Sequence, residues 1–312
     1  MMLGRYADNL YWMARYLERA ENTARKIQAG LHYSITSKES NNDLVRFLIE
    51  EYDKNIFKKK YDDFSLNNVL KFLINDEDNE NNIKNLLQKA RTNGKIVRTA
   101  LTREVSNSLN QSWDSAQKIL DSPIKINNLP DIIEKILNTG TVFRGSVYGT
   151  MLRNDTFHFI RIGTFIERSN NTALILNTKY YRILLRKTVL VSKIDYNRWE
   201  ILLRSLSAWR SFNWLSGEYL DPAAITNFLV FDERMPRSLS FCNKEILSNL
   251  GYLQKTYEKK FKSFNLAKST QKNLTSGIIR TVHNKKLYNF IKEYTEKNEE
   301  LHNTITKEFN LV

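Results

Sequence analysis

Residues 3–31 read LGRYADNLYWMARYLERAENTARKIQAGL. Apolar or small side chains recur at Leu3, Tyr6, Ala7, Leu10, Ala14, Leu17, Ala24, Ile27 and Leu31, which keeps them on one face of a helix. The opposite side carries Trp12 and Tyr16, so this helix is apolar on two faces and belongs in an interior. Working outward, helical spacing predicts further helices over 64–74, 83–100, 130–138, 156–180, 196–215, 223–231, 239–261, 269–283 and 285–309. Strict alternation is nowhere long enough to build a sheet; Val189-Leu190-Val191 is the most β-like patch. The polar stretches 34–43 and 75–82 read as solvated loops. Prolines 123, 130, 222 and 236 fall where helical patterns start or stop. The expected fold class is all-α.

Composition supports this. The 312 residues contain only 10 Gly and 4 Pro, which excludes a turn-rich β-sandwich, collagen-like sequence and Pro/Gly-rich disorder. The single cysteine, Cys242, excludes an internal disulfide and any Cys-based metal centre within the chain. Neither a signal peptide nor a run of about 18 apolar residues is present, which points to a cytoplasmic location away from the membrane. The formal net charge of +14 is uneven. Residues 1–141 carry a net +2, and residues 142–242 and 243–312 carry +6 each. Of the 20 Arg, 11 lie between 142 and 242, and the planar guanidinium fork suits fixed carboxylate or phosphate geometry.

An internal repeat organises the chain. LERAENTA (17–24) and IERSNNTA (166–173) share five of eight residues. The core face carries over as well, with Ala14 matched by Gly163. Downstream, Phe72-Leu73-Ile74-Asn75-Asp76-Glu77 parallels Phe228-Leu229-Val230-Phe231-Asp232-Glu233. Two matches in the same order point to duplication. The expected organisation is one domain, 1–312, of two duplicated helical halves, 1–141 and 142–260, compatible with a pseudo-twofold arrangement. A basic helical C-terminal extension, 261–312, follows.

Each copy carries adjacent Glu and Arg: Glu18-Arg19 and Glu167-Arg168. Neighbours on a helix project about 100° apart and pair poorly with each other. If the two helices met at Ala14 and Gly163, Glu18 could pair with Arg168 and Arg19 with Glu167. The motifs then form either a buried charge network that fixes register or a charged ligand site. Arg153, Arg161, Arg204, Arg210 and Arg237 lie in the same Arg-rich block and favour an anionic ligand or partner. Asp232, with Glu233, reads as a capping-like helix start or, less simply, as part of an acidic metal-binding cluster.

The catalytic inventory is thin. His32, His158, His283 and His302 are scattered without metal-ligand spacing, so no metal site is expected. His158 is either a proton-transfer group or a structural histidine. Cys242 reads as a buried thiol. Gly140, Gly145 and Gly149 read as a flexible turn rather than a phosphate loop, since the Lys and the preceding strand are missing. The Lys-rich segment with Lys255, Lys259, Lys260 and Lys262 fits a solvated helix face better than a nucleic-acid interface.

The segments NLYWMARYLERAENTAR (9–25), GTMLRNDTFHFIRIGTFIERSNNTA (149–173), WEILLRSLSA (199–208) and FLVFDERMPRSLSFC (228–242) resemble the bacterial alpha-E family, a helical domain with a Glu-Arg signature. Arg15 keeps a further Arg of that family's pattern, whereas Thr164, Asn170 and Leu174 depart from it in the second copy. The resemblance implies association with ATP-grasp ligases and transglutaminase-like proteins, and hence with ATP-dependent amide-bond formation.

The function expected on these grounds is an accessory or substrate-handling partner of an ATP-grasp-type peptide or amide ligase. No cofactor is identifiable in this chain, and ATP is expected on the partner. Two alternatives stay open: an enzyme acting on an amide or acyl-phosphate through a Glu base, and a basic nucleic-acid-binding or scaffold protein.

Overall fold

A computed structural model describes residues 2, 4–36, 41–178, 193–217, 220–276 and 284–311. The described residues form fourteen α-helices with two short 3-10 turns and no strand, so the chain is all-α. The β-like patch at Val189-Leu190-Val191 lies outside the described residues. No described helix is long and apolar enough to cross a membrane.

The chain divides into two compact units. One comprises residues 16–151, and the other is assembled from residues 1–15 and 152–312. Helix α1 (Gly4–Thr36) supplies residues to both.

The contiguous unit holds α2 (Asn41–Ile49), α3 (Lys54–Lys58), α4 (Leu66–Ile74), α5 (Ile83–Ile96), α6 (Arg103–Leu120) and α7 (Leu129–Thr150). Side-chain caps start these helices. Ser65, Asn82 and Thr102 accept the N–H of Asn68, Asn85 and Val105, which satisfies donors left free by the first turn. Helix α6 was not expected, because its Ser and Asn residues dilute the apolar spacing. Its buried stripe is nonetheless regular: Val105, Leu109, Trp113, Ala116 and Leu120. It packs against α5 and α7.

Two expectations are corrected by this unit. Residues 140–149 are not a turn; α7 runs through all three glycines. The loop 75–82 is not simply solvated, since Asp76, Asn79 and Asn82 are buried. Asn79 donates to the Phe72 carbonyl and Asn82 to the Asp76 and Asn79 carbonyls, so they supply the partners a buried loop backbone needs.

The discontinuous unit is built around α8 (Asp155–Asn177), in which every residue from Thr156 to Ser169 is buried. Further helices are α9 (Lys193–Ser205), α10 (Trp209–Ser216), α11 (Pro222–Phe231), α12 (Leu239–Thr256), α13 (Lys262–Thr275) and α14 (Asn284–Glu308). Helix α8 packs on α12 and α14, and α13 lies against both α12 and α14. The single helix expected over 196–215 is two, because Ser207 adopts a left-handed φ of 53° and ends α9. Helix α13 starts at Lys262 rather than at 269, and residues 277–283 lie outside the described ones. It has no cap from its own N-cap residue Phe261; Glu308 of α14 instead accepts the N–H of Lys262 (2.5 Å) and Ser263 (3.1 Å).

Helices α1 and α8 meet where the sequence placed small residues. A Cβ on Gly163 would lie 2.3 Å from the Tyr11 carbonyl oxygen and 3.3 Å from the Ala14 Cβ. Only glycine permits this approach.

Candidate functional site

In the discontinuous unit the centre of charge is Arg15. Its Nε donates to Glu167 Oε2 at 2.8 Å, and the two side chains are 7% and 6% exposed. Its Nη1 donates to the Tyr11 hydroxyl at 3.4 Å and lies 3.2 Å from both ring nitrogens of His302. Tyr11 Oη and His302 Nδ1 share a hydrogen bond of 2.8 Å. The guanidinium stacks over Trp12 at 4.5 Å. Burial opposes the Arg15 charge, but Tyr11 and Glu167 outweigh it and hold the guanidinium above its ordinary value.

Arg168 turns the other way. Its Nη1 donates to the Pro236 carbonyl at 3.4 Å, and its guanidinium lies 5.2 Å from the Phe165 ring. One turn on, Thr172 donates to the Arg237 carbonyl at 2.8 Å. The second Glu-Arg helix is thereby tied to the loop that carries Asp232.

The contiguous unit repeats this tie. Arg19 Nη1 donates to Asn81 Oδ1 at 2.9 Å, in the loop that follows Asp76. The buried Glu21 receives Arg25 at 2.6 Å and is hydrogen-bonded by Arg144, whose Nη1 lies 3.8 Å from Glu18 Oε2. Gly140 makes this possible, since a Cβ there would lie 2.1 Å from Glu21 Oε2. The crosswise pairs expected between the copies would join residues of different units. Glu18, Arg19, Glu167 and Arg168 each meet a partner in their own unit: Arg144, Asn81, Arg15 and Pro236 respectively.

The two loops share two side-chain bonds. Asp76 Oδ1 accepts the Asp78 N–H at 2.9 Å, and Asp232 Oδ1 accepts the Arg234 N–H at 2.8 Å. Asn82 donates to the Asp76 carbonyl at 2.7 Å, and Ser238 donates to the Asp232 carbonyl at 2.6 Å. The same two side chains cap α5 and α12. Hydrogen bonds from Arg234 hold the Asp232 carboxyl below its usual range. Asp232 therefore terminates one helix and braces the start of the next.

The other expected residues scatter. Arg161 is buried, pairs with Glu245 at 2.8 Å and stacks on Phe165. Arg204 pairs with Glu200 at 2.6 Å and faces Trp209. Arg153 is exposed and stacks on Phe157. Arg237 is buried, and Arg210 is exposed. His158 is buried, bonded to Asn249 at 2.8 Å and stacked on Tyr252. Cys242 is buried with its Sγ 3.6 Å from the Pro236 carbonyl. Among the described residues no three His, Cys, Asp or Glu side chains cluster as a metal site requires.

Sequence reasoning missed Tyr11, Glu21, Arg25, Arg144 and His302. Glu21 and Arg25 show a helical i, i+4 spacing that could have been read. Arg144 and His302 come from positions far along the chain, and no local signal announces them.

A family model described as a predicted alpha-helical domain with a conserved ER motif matches residues 2–309. No curated protein and no solved structure is found to match the chain.

Proposed function

Because the chain belongs to the Alpha-E family, we propose that it acts as an accessory or substrate-handling partner of an ATP-grasp-type peptide or amide ligase in bacterial small-peptide synthesis or modification. ATP is bound by the ligase, a transglutaminase-like protein is a second partner, and the complex works in the cytoplasm. The observation that carries this reading is the use made of the signature residues. Arg19 and Arg168 each tie a helix to a loop of its own unit, and Glu167 is held by Arg15. Side chains spent on internal ties organise a surface for a partner better than they attack a substrate. The matched loops support descent of the two halves, 1–141 and 142–260, from one ancestral half by duplication.

The test is purification of the tagged full chain from its own cells, followed by reconstitution. An ATP-grasp protein should be enriched, and its ATP-dependent amide formation should rise when the chain is added back. Enrichment of no such protein, or turnover indifferent to the chain, overturns the proposal.

A further inference from the structure

The contiguous unit holds a cleft of about 930 Å³ where α5 gives way to α6. Lys95 lies at the end of α5, Arg98 in the 3-10 turn that follows, and Arg103 is the first residue of α6. The chain reversal over 97–102 brings Lys95 and Arg98 to the face of α6 that carries Arg103, Ser106, Asn107 and Asn110. No carboxylate lines this cleft. The acid nearest in sequence, Glu104, is exposed and lies outside the lining.

Arg15, Arg25, Arg144, Arg161 and Arg204 all pair with carboxylates. Lys95, Arg98 and Arg103 are exposed and make no salt bridge within the described residues. Just behind them Arg91 is neutralised by Asp114 at 3.6 Å, and its Nε donates to Asn110 Oδ1 at 3.1 Å. Asn110 also donates to the Ser106 carbonyl at 3.1 Å, so the neutral wall is fixed in place. Three like charges held in one concavity repel each other until an anion enters. Two guanidinium forks select planar or tetrahedral oxyanions by paired hydrogen bonds. One carboxylate offers too little charge for three cations, whereas a diphosphate spreads several charges over many oxygens.

We propose that this cleft binds a free phosphorylated small molecule through a diphosphate-like group, with Arg98 and Arg103 as forks, Lys95 as a third charge and Asn107 as a neutral donor. The assignment is independent of the ligase partnership.

Calorimetric titration of the full chain with inorganic pyrophosphate at low salt tests it. Saturable binding is expected for the wild type and for Lys71→Ala, an exposed cation of α4 outside the lining. Arg98→Ala combined with Arg103→Ala should bind about tenfold more weakly or worse, since charge-assisted hydrogen bonds are lost, with an unchanged thermal melt. Should that variant melt early, Arg98→Gln with Arg103→Gln keeps the side-chain length and must show the same loss. Equal affinity in the folded variants, or no saturable binding by the wild type, overturns the assignment. So does a chain that ignores pyrophosphate yet is retained by an oligonucleotide or by phosphatidic acid vesicles.

Discussion

Arg15 Nε lies 2.8 Å from Glu167 Oε2, and this ion pair is closed off from solvent on both sides. Removing one partner strands the other charge. Arg15→Met or Glu167→Leu alone should cost roughly 3–5 kcal/mol, whereas the double variant should recover most of that loss. Urea unfolding of the four proteins of the cycle measures the coupling. Equal, additive losses would show that the charges do not depend on each other.

The glycines of α7 and α8 should respond with opposite signs. Gly145 meets open space, so Gly145→Ala should stabilise by about 0.5–1 kcal/mol through helix propensity. Gly140→Ala pushes on Glu21, and Gly163→Ala pushes on the Tyr11 backbone. Each should destabilise by about 1–3 kcal/mol despite the same propensity gain. Thermal melts of the three variants settle the order.

The matched loops should weaken in parallel. Asn82→Ala and Ser238→Ala each delete a helix cap and a bond to an Asp carbonyl. A loss of about 1–2 kcal/mol is expected at each site. Chemical denaturation should show the two losses adding, because the loops belong to different units.

Stability should fall at both pH extremes, for identifiable reasons. Desolvation opposes the Asp76 carboxylate, but hydrogen bonds from Tyr61 and Lys60 outweigh it and hold its pKa below 3.8. A depressed carboxyl stabilises the fold above its unfolded pKa, and that contribution is lost as pH falls through the folded value. Asp232 acts in the same direction. At the alkaline end burial, with Asp76 as partner, pushes Tyr61 up to about 12. Burial and a bond to Asp155 do the same for Tyr257, also to about 12. These raised groups stabilise the fold below pH 10 and stop doing so as pH rises through about 12. A Tm profile should therefore be flat near neutrality and drop below about pH 4 and above about pH 10. Asp76→Asn should lower the plateau and shallow the acid limb.

A single cap across the discontinuous unit can be tested directly. Glu308→Ala leaves the N–H groups of Lys262 and Ser263 without their acceptor. A loss of about 1 kcal/mol is expected, with α13 exchanging its amide protons faster. Unchanged exchange in α13 would show that the cap does nothing.

Much of the architecture was legible because helices write their buried faces into local spacing. The buried helix over 155–177, the prolines at helix ends and the meeting of Ala14 with Gly163 all follow from periodicity and residue size. Long-range reasons were not legible. Gly140 resembles a hinge until Glu21 is seen filling the space its missing Cβ leaves. Asn79 and Asn82 resemble solvated loop residues until the carbonyls they satisfy are known. The Arg-rich block suggested an anionic surface, yet Arg161, Arg168 and Arg237 are buried. The cations of the α5–α6 cleft lie in the stretch whose net charge is nearly balanced, so composition pointed away from them.

The discontinuity of one unit also sets an order of events on the ribosome. Residues 16–151 are contiguous and complete as soon as residue 151 has emerged. Tyr11 and Ala14, made earlier, pack against Gly163, which residues 152–312 supply. Until Gly163 follows, the nascent chain carries these side chains without that native cover, a natural target for a holding chaperone.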